Sequence, residues 1–156
     1  MHLDDRPTRD TRGRGGPYHS LGVNKRDRPD AVEIIRHQQV QVFAKSGVAS
    51  HQLLFPENSA SARITITRVV LEPNAVNPRH QHASSEQVWV ALSGTGLLLL
   101  AEDKTVSFSA GDIARFAEGD VHGFRNTGAV PFEYLSITSP PINFRAAYAA
   151  PWPPSS

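Results

Sequence analysis

His80 and His82 are separated by a single residue, Gln81. On an extended segment that spacing turns both imidazoles to the same side of the chain. A few positions on, Glu86 or Gln87 can bring a carboxylate or a carboxamide to the same point, and His122 is the one histidine that follows. Two imidazoles, an oxygen donor and a third imidazole suit one divalent transition metal with coordination positions left open. The set is nitrogen and oxygen without sulfur, so Fe, Mn, Ni, Co and Zn fit it alike. His2, His19, His37 and His51 have no partners at ligand spacing and read as surface or core residues. Ser84 and Ser85 lie beside the histidine pair but outside any nucleophile elbow, and no phosphate loop or paired-carboxylate motif occurs.

The composition narrows the frame that must hold these groups. At 156 residues the chain is long enough for one domain with a core that needs no cross-links. Cysteine is absent, which excludes disulfides, thiolate zinc sites, iron–sulfur clusters and a cysteine nucleophile. A net charge of +1 gives no reason to expect nucleic acid or a membrane surface as a partner. The longest uncharged stretch, Gln87 to Ala101, is too short to span a bilayer and is broken at Ser93-Gly94-Thr95-Gly96. No apolar leader opens the chain, so a soluble, cytoplasmic protein is expected.

Along the chain the signal is strand after strand. Ile64, Ile66 and Val70 share one face of 63–71, while Thr65, Thr67, Val69 and Leu71 share the other. Similar runs follow at 87–92, 97–101, 105–108, 113–116 and 132–138, and 31–43 and 52–55 are expected to add strands at the front. Turn chemistry separates them, as at Ala110-Gly111-Asp112, Glu118-Gly119-Asp120 and Asn126-Thr127-Gly128. No stretch keeps a helical period between proper caps; 31–36 comes nearest, and 146–150 is too short. Eight to ten short strands predict an all-β sandwich or barrel. Residues 1–30 are rich in Arg, Asp, Gly and Pro and poor in apolar side chains, and so are read as a flexible arm. The run Arg12-Gly13-Arg14-Gly15-Gly16 stands among Asp4, Asp5 and Asp10 and reads as a solvated tail rather than an RNA-binding segment. The barrel domain is placed at 31–145 and a proline-rich tail at 146–156.

The frame around the histidines resembles the cupins, specifically their small single-domain form. The second cupin motif reads as Gly111, Ala117, Gly119, His122 and Asn126 with every spacing kept, Ala117 standing where proline is usual. The first reads as Asn74, His80, His82, Gln87 and Gly94. Asn74 replaces a glycine, and asparagine is the next most tolerant residue of positive φ. Gln87 replaces the usual glutamate. Counting back from Gly94, with Leu92 on the family's frequent leucine, selects Gln87 over Glu86 as the donor. Parity then sends Gln87 inward with Trp89 and Ala91, and Glu86 outward with Val88. A one-residue slip would invert the whole strand, so both cannot be ligands unless a bulge intervenes.

The resemblance implies a double-stranded β-helix of two antiparallel sheets, with one divalent metal held by His80, His82, Gln87 and His122. It implies a metal-dependent isomerase, lyase or dioxygenase acting on a small, oxygen-rich, anionic molecule bound at the open positions, where an enolate-like intermediate is stabilised. The alternative is a non-catalytic small-molecule binding or sensing module. Relatives of this size often dimerise through front strands, so 31–43 is expected at a homodimer interface. Trp89, Phe116, Phe124, Phe132 and Tyr134 are expected to pack the core, with Trp89 placed to line the cavity. Arg68 and Arg115 share strand faces with isoleucines, so each either pairs with an acid or faces a ligand. Asn126 is expected to shape the turn at Thr127-Gly128.

Overall fold

The computed structural model of the protein describes residues 32–152. The expected arm, with its Arg/Gly run, His2 and His19, lies outside the described residues, as does the end of the chain from 153. Among the described residues, ten strands form two antiparallel sheets, the double-stranded β-helix expected. The first sheet runs in the order β1 (Gln41–Lys45), β2 (Val48–Leu54), β3 (Thr65–Leu71), β10 (Phe132–Ser139), β5 (Glu86–Ser93), β8 (Ile113–Phe116). The second runs β4 (Val76–His80), β9 (His122–Arg125), β6 (Thr95–Leu100), β7 (Thr105–Ser109). No helix among the described residues is long and apolar enough to cross a membrane.

The front of the chain departs from the expectation drawn from its residues. Among the described residues, no strand covers 32–40: residues 32–36 are irregular, His37–Gln39 is a single 3-10 turn, and the first strand starts at Gln41. The turn closes on itself, Gln39 N–H donating to the Arg36 carbonyl at 2.8 Å and Arg36 N–H to Gln39 Oε1 at 2.7 Å. Such local hydrogen bonds compete with a sheet ladder. The next strand begins earlier than expected, at Val48. Ser46 and Gly47 both take positive φ (49° and 77°), giving the two-residue turn whose twist suits a hairpin. A short helix, α1 (Arg145–Ala149), crosses the boundary expected at 145. Its anchors are tertiary: Arg145 donates to Glu57 Oε1 at 3.0 Å and to Gln41 Oε1 at 2.8 Å, and Tyr148 packs on Phe43.

The inner faces of the central strands change character together. At one end Val48, Leu71, Phe124 and Phe132 pack with Phe108 and Leu98, Phe124 stacked on Phe132 at 4.1 Å. At the other, the inward residues are Ser50 and Gln52 on β2, Thr65 and Thr67 on β3, Ser136 and Thr138 on β10, and Gln87 on β5, all buried. Cross-strand register sets them side by side: Gln52 faces Thr67, Thr67 faces Ser136, Thr65 faces Thr138, and Thr138 faces Gln87. The barrel is therefore dry at one end and lined with hydroxyls and amides at the other. The expected core aromatics are all buried, and Trp89 and Tyr134 sit where the two regions meet.

Candidate metal centre

His80 ends β4 and pairs in register with His122, the first residue of β9. A register shift between Asn77 and His80 accompanies Pro78, which cannot donate to the ladder. Two glycines let the strands of this sheet come close. A Cβ on Gly123 would lie 2.7 Å from the Asn77 carbonyl oxygen, and one on Gly96 would lie 2.3 Å from the Phe124 ring. Gly96 lies on β6, where its missing side chain makes room for the Phe124 ring. Gly123 was not recognised from the sequence as part of the site. A glycine inside a strand and next to His122 was the available signal.

The ligand-capable atoms of His80, His82 and His122 all lie within 4.8 Å of one another. Phe116 stacks on the His122 ring at 4.2 Å and Trp89 meets it edge-on at 5.3 Å, so the ring has little freedom. Gln87 points inward and is 2% exposed. Its neighbour Glu86 turns outward and is ion-paired with Arg115, the Arg115 Nε donating at 2.8 Å. The parity read along this strand is the parity observed, and no bulge rescues Glu86: the shift in the β5–β10 pairing lies near Ser93, at the far end. Arg68 is paired with Glu133 at 3.4 Å on the outer face, so neither arginine reaches the interior. Asn126 donates to the carbonyls of Leu71 and Val130 and accepts from Gly128 N–H, the turn-shaping role expected.

Proton positions follow from the partners. Trp89 Nε1 can only donate and lies 2.8 Å from Gln87 Oε1, while Gln87 Nε2 donates to Thr138 Oγ1 at 2.9 Å. The amide oxygen therefore faces the histidines. Backbone carbonyls of Pro78 and Asp120 sit 2.8 Å from Nδ1 of His80 and His122, which places a proton on each Nδ1. Burial, reinforced by the neighbouring imidazoles, lowers the His82 and His122 pKa values to about 4; burial also lowers that of His80. All three rings are then neutral at neutral pH, with Nε2 of His80 and His122 bare. Nε2 of His122 lies 2.9 Å from Gln87 Oε1. This brings two lone pairs together, an arrangement that a shared cation relieves. Two donors about 2.1 Å from one ion and at right angles to each other stand about 3.0 Å apart. Nε2 of His82 is buried with no hydrogen-bond partner. The residues fit a divalent metal, with no carboxylate in the donor set.

Two antiparallel sheets wound into a double-stranded β-helix, carrying a His-x-His pair on one strand and a third histidine on its neighbour, define a cupin barrel. Residues 67–138 match the family described as "Cupin domain". An uncharacterized protein of Methanocaldococcus jannaschii is 26% identical over 101 residues, covering 65% of this chain and 80% of the relative. KdgF from Halomonas sp. superposes with a TM-score of 0.61 at 16% identity, over 72% of this chain and 97% of that one. The polyketide cyclase RemF from Streptomyces resistomycificus gives 0.60 at 18% identity, over 70% and 80%. A predicted oxalate decarboxylase from Thermotoga maritima gives 0.59 at 23%, over 69% and 98%. At these identities the likeness is one of fold.

Proposed function

We propose that this protein is a metal-dependent enzyme whose centre is His80, His82, Gln87 and His122, acting on a small oxygen-rich molecule. The observation that carries the reading is the lone-pair contact between His122 Nε2 and Gln87 Oε1, flanked by the bare Nε2 of His80 and the unpartnered Nε2 of His82. A divalent ion bound there supplies Lewis acidity toward a carbonyl or carboxylate oxygen, undiminished by any carboxylate ligand. The chain's own residues do the positioning. The Pro78 and Asp120 carbonyls hold the tautomers, Trp89 and Thr138 hold the amide, and Phe116 holds the His122 ring.

Because the donor set is neutral, an anionic oxygen is favoured as the incoming ligand. Isomerase or lyase chemistry ranks ahead of dioxygenase chemistry, since neither requires a change of oxidation state. The fold does not choose among these reactions. A second reading, a non-catalytic binding module, is favoured by one observation. The cavity beside the histidines is lined by no carboxylate or amine that could act as a general base.

Metal analysis of purified protein, followed by a screen of keto acids, uronates and diketones under air and under nitrogen, tests the proposal. About one transition metal per chain and turnover without oxygen are expected. Oxygen consumption selects the dioxygenase, and silence across the screen selects the binding module. Absence of metal, with no thermal stabilisation by added Ni, Mn, Fe, Co or Zn, overturns the metal centre itself.

A further inference from the structure

Between the histidines and the far wall lies a cavity of about 50 Å³. His80 and Gln87 border it on one side; Thr67, Ser136 and the Tyr134 ring border it on the other. Phe144 borders both this cavity and a larger cleft, about 410 Å³, that runs along His80 and His82. The inner cavity has room for about one or two water-sized groups. An occupant reaching across from the histidines therefore touches the opposite wall.

That wall is polar but uncharged. Its lining holds no lysine, arginine, aspartate or glutamate. Ser136 is 4% exposed and its Oγ has no hydrogen-bond partner; nearby on the same face, Gln52 Oε1 and Thr65 Oγ1 are buried and likewise unpartnered. Buried polar atoms are rarely left so without reason, because each carries an unreturned desolvation cost. Tyr134 accepts a hydrogen bond from Asn77 Nδ2 at 3.1 Å, which leaves its own proton for another acceptor. Burial raises its pKa, so that proton stays in place.

We infer that this inner cavity is a subsite for an uncharged end of the substrate bearing a hydroxyl or carbonyl group, with Ser136 Oγ and the Tyr134 hydroxyl as its hydrogen-bond partners. Any charged end is directed to the histidines and the outer cleft. The inference deepens the function proposed above and concerns the same site. A dianion with a second charge in the cavity would find no cation on the wall and would lose its hydration there.

The test uses the full chain stripped of metal, so that failure of the metal centre and failure of the subsite are told apart. Hydroxyacetone, butanone and malonate are titrated while the backbone amides of Thr67 and Ser136 are followed by NMR. Hydroxyacetone is expected to bind about tenfold more tightly than butanone, one hydrogen-bonding group separating them, and malonate to give no saturable shift. Ser136→Ala should weaken hydroxyacetone several-fold, leave butanone unchanged and leave the melting temperature unlowered, since Oγ supports nothing in the fold. Tyr134→Phe should act in the same direction. Equal binding of hydroxyacetone and butanone, saturable binding of malonate at these amides, or discrimination retained in Ser136→Ala overturns the inference. So does a lowered melting temperature in Ser136→Ala, which would make the hydroxyl structural.

Discussion

Replacing Gln87 by glutamate changes one buried atom group and tests the inward register of β5 directly. Gln87 Oε1 lies 2.9 Å from His122 Nε2, and the two residues are 2% and 1% exposed. In Gln87→Glu, the carboxylate can still accept from Trp89 Nε1 and can accept from the Thr138 hydroxyl, so the packing is kept. Its negative charge then stands beside an imidazole that burial makes hard to protonate, with a pKa lowered to about 4. At about 4 Å between charge centres and an effective dielectric near 20, the attraction is about 4 kcal/mol. This favours the protonated ring, so the His122 titration midpoint in metal-free protein should move upward by about 3 pH units. Imidazole-labelled NMR reads the midpoint of His122. Glu86→Gln is the control: Glu86 faces outward against Arg115, and its loss should move the midpoint little. With metal present, chelator competition should show tighter retention in Gln87→Glu, weaker in Gln87→Ala and little change in Glu86→Ala. An unmoved midpoint in Gln87→Glu, or equal metal loss in the two alanine variants, would refute the register.

The lowered histidine pKa values set the acid response of the metal-free fold. The unfolded chain takes up protons below about 6.5 while His122 in the fold resists until about 4, so stability is fully present above 6.5 and is lost as pH falls through that window. His122 alone should cost about 3 kcal/mol by pH 4, at about 1.4 kcal/mol per pH unit, and urea melts across pH 4–7 measure it. Gly123→Ala forces a Cβ within 2.7 Å of the Asn77 carbonyl oxygen. About 1–3 kcal/mol of overpacking is expected in thermal melts, together with weaker metal retention as His80 is pushed from His122. β1 is an edge strand, and Val42 on it is 50% exposed. We propose a twofold homodimer through this region, for which light scattering should report twice the chain mass, and deletion of residues 1–43 should abolish it.

Much of the site was legible in the order of residues. His-x-His on an extended segment requires two imidazoles on one side, whatever the rest of the chain does. The parity of β5 separates Gln87 from Glu86 once a register is chosen, because side chains alternate with period two. The motif spacings carried His122 and Asn126 to their places, and the aromatic strand residues are buried as their types suggest. The front strand was misplaced because local hydrogen bonds around Arg36–Gln39 defeat the extended pattern of the side chains.

Only the tertiary structure decided what faces the histidines. On β3 the sequence shows Thr65 and Thr67 sharing a face with Val69 and Leu71, and that face could lie against either end of a barrel. Cross-strand register, set by pairings between segments far apart in the chain, aligns those threonines with Ser136, Thr138, Gln52 and Gln87. The same pairings carry Arg68 and Arg115 to acids on the outside and leave the inner cavity without charge. The carbonyls that fix the histidine protons come from a bulged strand and a turn, and the burial that keeps His122 neutral comes from Phe116 stacked on its ring and Trp89 set edge-on to it. A strand's period names the side chains that share a face. It takes the closing of two sheets to decide what that face meets and how much water remains there.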